Sequence, residues 1–135
     1  MADLLIEFLL LLIVPWVYVL FVPTCVLKVK KIPFNRVARG VSCIGIILLR
    51  EDCHNMRTLR HESVHIFQMK KYSPLGLLVI YLCFYGFEMI KAMLAGKRFD
   101  FLESWHRNPY EAQANSKMDD DEMKLPALFG HIPNN

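Results

Sequence analysis

The chain has 135 residues, 54% of them hydrophobic, and its 16 lysines and arginines against 13 aspartates and glutamates leave a net charge of +3. That suffices for one compact domain and not for two, and a charge so balanced argues against a nucleic-acid partner. A mean hydropathy of +0.27, with the apolar excess gathered into two blocks, points to a membrane-lipid setting and excludes collagenous, disordered and disulfide-stapled classes.

From Phe8 to Leu27 no residue is charged, and about 20 helical residues at 1.5 Å each match the hydrocarbon thickness of a bilayer. Asp3 and Glu7 precede the run, where a signal peptide would carry Lys or Arg, so the segment is expected to stay on the protein. Pro15 and Pro23 fit a kinked span or a hairpin dipping into one leaflet. Lys28, Lys30, Lys31, Arg36 and Arg39 follow it, which by the positive-inside rule places the rest of the chain on the cytoplasmic side.

Val37 to Arg50 is rich in β-branched residues, with glycines at 40 and 45, and reads as a strand or hairpin. EDCHN at 51–55 supplies a turn. From about Thr58 a stretch free of Gly and Pro reads as a helix that ends before Ser73 and Pro74. It carries His61, Glu62 and His65 as HExxH. Side chains four apart share one helix face about 6 Å apart, so two imidazoles can hold one Zn²⁺ while Glu62 between them reaches a water held there.

A catalytic zinc takes three protein ligands and leaves one position to water, so a third is sought downstream among Glu103, His106, Glu111 and His131. Glu111 follows Asn108 and Pro109, a good N-cap and first helical residue, and so opens a second helix. Asn115, one turn on, is placed to support a ligand. Gln68 and Tyr72 continue the metal-bearing face. Tyr110, His106 and Arg107 are candidate donors to an oxyanion. His54 beside Cys53 reads as structural, and Cys25, Cys43, Cys53 and Cys83 form no CxxC pair and are expected reduced.

Leu75 to Phe87 is a second uncharged block, of only about 13 residues, short for an independent span. Were it to cross, Glu111 would emerge opposite His61 and His65. The block therefore reads as a hydrophobic helix half sunk in the membrane face and packed on the N-terminal segment, with Gly96 as its stop signal. Asp119 to Glu122 form an acidic run without EF-hand spacing, expected to be solvated, and the last residues read as a loose tail.

HExxH followed on a separate helix by E-x-x-A-N resembles the gluzincin metallopeptidases and, in its membrane setting, is similar to the CAAX-prenyl-protease and heat-shock membrane protease group. It also resembles small bacterial membrane proteins with HExxHxxQ and an EAxAN helix. The resemblance covers about residues 36–116. It implies His61, His65 and Glu111 as zinc ligands and Glu62 as general base, acting on a peptide or membrane-protein substrate. Asn115 stands where many gluzincins have Asp. The expected fold is mainly α with a short β element: an N-terminal membrane segment over 1–30, a minimal zincin-like domain over 31–118, and an acidic, irregular tail over 119–135. The competing expectation is a non-enzymatic membrane adaptor or assembly subunit with a structural or non-catalytic metal site.

Overall fold

A computed structural model describes residues 2–32 and 38–133. Arg36 of the basic run and Val37, the expected first residue of the β element, lie outside the described residues. The chain is mainly helical and carries a small mixed sheet. In chain order it runs α1 (Ala2–Phe21), β1 (Thr24–Val29), β2 (Gly40–Cys43), β3 (Ile46–Arg50), a 3₁₀ turn (Glu51–Cys53), α2 (Met56–Tyr72), α3 (Pro74–Leu94), α4 (Phe101–Arg107), α5 (Pro109–Ser116) and β4 (Leu128–Gly130).

The expected hairpin is β2–β3, antiparallel with Cys43 opposite Ile46. Its two-residue turn uses Gly45 at φ +69°, where a Cβ would meet the Tyr18 ring of α1 at 2.5 Å, so glycine serves both the turn and the helix lying over it. The strand order is β2-β3-β1-β4, with β1 parallel to both neighbours. Ile47 and Leu49 alternate onto one face with Val26 and meet Leu59 and Ile66 of α2, forming the main core. Val19, Met69 and Leu77 form a second cluster where α1, α2 and α3 meet.

Three expectations change here. The uncharged run does not continue as one helix to Leu27: α1 stops at Phe21, and Thr24–Val29 becomes the inner strand of the sheet. Pro23 disfavours helix at the residue before it, and β-branched residues follow. The tail is not loose, because Leu128–Gly130 pairs with Thr24–Val26 and the His131 amide donates to the Val26 carbonyl at 2.8 Å. Nor is the acidic run left to solvent alone. Asp119 and Asp121 stay exposed, as expected, but pair with Arg57 at 3.1 Å and with Arg60, which fastens the segment to α2, while Asp120 pairs locally with Lys117 at 2.6 Å.

The second apolar block is longer than its uncharged core. α3 runs 21 residues through Glu88 and Lys91 and is the described helix long and apolar enough to cross a membrane; the apolar part of α1, Ile6–Phe21, is shorter. The charges do not stop the helix because they are paired: Glu88 lies 2.7 Å from Lys91 and 3.7 Å from Arg107. Ser73 alone separates α2 from α3, at φ 63°, and its Oγ accepts from the Gly76 amide at 3.0 Å. α3 folds back along α2, and α4 and α5 then return the chain beside it. Glu111 thereby reaches the histidines on the same side.

Candidate metal centre

α2 begins at Asn55, whose Oδ1 accepts from the Thr58 amide at 2.9 Å, and it packs one face on the sheet. That packing orients the HExxH turn toward α5. α5 opens as expected, with Asn108 Oδ1 accepting from the Tyr110 amide at 2.9 Å and Pro109 in the first position. Ala114, fully buried, permits close approach of the two helices.

The structure brings His61, His65 and Glu111 together as a group able to hold a metal ion. The two Nε2 atoms are 3.2 Å apart. Glu111, 1% exposed, straddles them, with Oε2 3.5 Å from His61 Nε2 and Oε1 3.5 Å from His65 Nε2. Bonds of about 2.1 Å at a tetrahedral centre put neighbouring ligand atoms about 3.4 Å apart, close to the separation of the two rings and to the carboxylate's nearest approach to each, and one ligand atom from each residue lies within 4.8 Å of the other two. Glu111 Oε2 has no hydrogen-bond donor among the described residues. A buried carboxylate oxygen without a donor is costly unless a cation meets it, so the donor set fits a metal.

Gln68 fixes the tautomer of His65. Its amide nitrogen donates to the Tyr110 carbonyl at 3.1 Å and to Gln113 Oε1 at 2.9 Å, which leaves Oε1 to face His65 Nδ1 at 2.8 Å. Nδ1 then carries the proton and Nε2 presents its lone pair to the centre. Gln68 was expected on this face, and it orients a ligand.

Glu62, 4% exposed, lies under β2. Ser42 Oγ is 2.6 Å from its Oε2 and 2.8 Å from its carbonyl oxygen, so one hydroxyl hydrogen ties the strand to both. A Cβ on Gly40 would come within 2.8 Å of Glu62 Cγ and Oε1. The strand can therefore lie on the carboxylate only with glycine there. Burial raises the Glu62 pKa, against the lowering pull of His65 and of the Ser42 bond. In His65, burial opposes the charged ring, but the Glu111 carboxylate outweighs it and the pKa is raised. In Glu111, burial opposes the carboxylate, and the His61 and His65 rings 3.5 Å away outweigh it and hold the pKa at about 2.

Other expectations fall away from the centre. Asn115, one turn beyond Glu111, is exposed, and no hydrogen bond joins its side chain to a ligand among the described residues. His106 is exposed, and Arg107 is engaged with Glu103 and Glu88. Tyr110 contributes its carbonyl to Gln68, while its ring lies edge-on to Tyr72 and beside Tyr81. Glu103 pairs with Arg107, and the His131 carbonyl lies 2.8 Å from His54 Nε2 at the end of β4, so neither is the third ligand.

Two residues that the sequence reading passes over are Ser42 and Tyr81, whose hydroxyl donates to Glu111 Oε1 at 2.8 Å. Tyr81 and Tyr85 stand four apart as polar-tipped residues within an apolar block, a spacing that marks one helix face. Ser42 has no comparable signal. No family model, curated protein or solved structure matches the chain.

Proposed function

We propose that the protein is a membrane-associated zinc-dependent peptidase that hydrolyses peptide bonds. The observation that carries this reading is the convergence of His61, His65 and buried Glu111, with Glu62 held on the same helical turn. His61, His65 and Glu111 are the residues that hold the ion. Zinc, when bound, supplies Lewis acidity and a water acidified to a pKa of about 7. Glu62 would serve as the base that holds the proton released there, and Ser42 keeps its carboxylate in place. β2 is an edge strand of the sheet, unpaired on one side among the described residues, and lies directly over Glu62, so an extended substrate would align by adding to that edge.

The membrane part of the proposal rests on α1 and α3, with the body after residue 27 on the cytoplasmic side. α3 lies in one leaflet in this reading. Were it to cross, α4 and its exposed Glu103 and Arg107, packed beside Tyr85 and Glu88, would enter hydrocarbon, where such charges are costly.

Glu62→Gln tests the peptidase. It keeps size and hydrogen bonding and removes the base, so the variant is expected to retain zinc and fold and to lose at least about a hundredfold in turnover on any cleaved peptide or membrane-protein substrate. Wild-type rates in that variant would remove Glu62 as the base and leave its burial structural, and no cleavage by the zinc-loaded wild type would favour the non-enzymatic reading.

A further inference from the structure

Glu111 has two oxygens and only one of them is free. Each oxygen lies 3.5 Å from one histidine Nε2, but Oε1 also accepts from the Tyr81 hydroxyl at 2.8 Å, whereas Oε2 has no hydrogen-bond donor among the described residues. The phenol is held firmly: its ring lies among Tyr85, Trp105 and Tyr110 at centroid distances of 6.2, 6.2 and 6.0 Å. The bond also joins separate parts of the chain, since Tyr81 belongs to apolar α3 and Glu111 to α5.

We propose that Tyr81 is a positioning residue that selects the ligand oxygen, occupying Oε1 so that Glu111 meets the metal through Oε2 alone. This rests on the metal-centre reading above. A carboxylate bound through both oxygens would take one more coordination position than a carboxylate bound through one. With two imidazoles and one carboxylate oxygen, the centre keeps a position open for water. Outer groups that orient ligands in this way typically contribute 10–100-fold to metal affinity.

The test uses the full-length chain in detergent, loaded with Zn²⁺ or with Co²⁺ as a visible reporter of coordination number. Wild type should bind about one ion per chain and give the intense cobalt absorption of a four-coordinate site. Tyr81→Phe, which keeps the ring and removes the hydroxyl, should weaken Zn²⁺ binding by about 10–100-fold. Its cobalt bands should also weaken, as Glu111 takes up a second bond. Equal affinity and an unchanged cobalt spectrum would show that Tyr81 only packs, and would overturn the inference while leaving the metal centre intact. Absence of any ion in wild type would instead remove the centre itself. X-ray absorption of the zinc-loaded wild type needs no variant: a first shell of four nitrogen or oxygen neighbours supports the assignment, and a larger shell with a chelating carboxylate overturns it.

Discussion

α2 and α3 are adjacent helices of 17 and 21 residues separated by a single serine, yet they invert the usual relation between polarity and burial. α2 is rich in polar and charged residues, and nine of its residues are buried, among them Glu62, Ser63, His65 and Gln68. α3 is almost wholly apolar and buries Leu77 alone. The polar helix lies inside because Glu62, His65 and Gln68 have found partners, while His61 Nδ1 and Ser63 Oγ are its buried atoms without one among the described residues. The apolar helix lies outside, with Leu75, Leu78, Val79, Leu82 and Ile90 exposed, while Tyr81 and Glu88 turn inward to Glu111, Lys91 and Arg107. An apolar surface that a chain does not cover itself calls for another cover, and lipid suits the stretch 75–82, which carries no charge.

This contrast breaks most sharply at the ligands. His65→Ala on α2 should reduce zinc from about one per chain to none by metal analysis, whereas Leu82→Ala on α3 should leave it unchanged. Stability should divide in the same way. Ile66→Ala removes a fully buried side chain from the main core and should cost about 2–5 kcal/mol in denaturant unfolding, while Leu82→Ala should stay within about 0.5 kcal/mol.

On the α3 side the large effect should appear in lipid. Leu78→Glu with Leu82→Glu is expected to lower binding to phosphatidylcholine–phosphatidylglycerol vesicles at least about tenfold, by flotation, with zinc content intact, because charges on a lipid-facing surface are strongly disfavoured. Unaltered flotation would mean that α3 faces water.

pH sharpens the comparison at the smallest scale. In the metal-free protein His65, its pKa raised by Glu111, adds stability that is complete below about pH 6.5 and fades as pH rises through the raised value. Glu111, held at about 2, adds stability that is complete above about pH 4.5 and fades only as pH falls toward 2. Zinc needs His65 without its second proton, so its affinity should fall by up to about tenfold per pH unit below the His65 pKa. The rise in Tm that zinc produces should therefore grow between pH 6 and 8, while the metal-free Tm declines. A zinc-induced rise independent of pH would show that no proton is displaced.

Most of the centre was legible because its determinants are local. The i, i+4 histidines and the Asn108–Pro109 helix start carry their geometry in their spacing, and the structure joins them as that spacing predicts. What the sequence concealed was tertiary. Ser42 reaches Glu62 across 20 positions and Tyr81 reaches Glu111 across 30, distances at which no periodicity speaks. Asn115 misled because one turn from Glu111 places a residue near it along the axis without turning it toward the histidines. The strand at Thr24–Val29 was hidden inside an uncharged run, since buried strand and apolar helix share one composition.

The pairing of β4 with β1 has a consequence for how the chain comes to be. Residues 24–26 meet partners made about a hundred residues later, so during synthesis β1 emerges with one flank that nothing can yet cover. α1, which precedes β1 in the chain, carries exposed leucines that favour early capture by a membrane. The sheet closes last, after the segment that fastens to Arg57 and Arg60 has been translated. A nascent chain stopped short of Leu128 would carry both histidines and Glu111 but an unfinished sheet beneath them, so the sheet under the candidate site waits on residues 128–130.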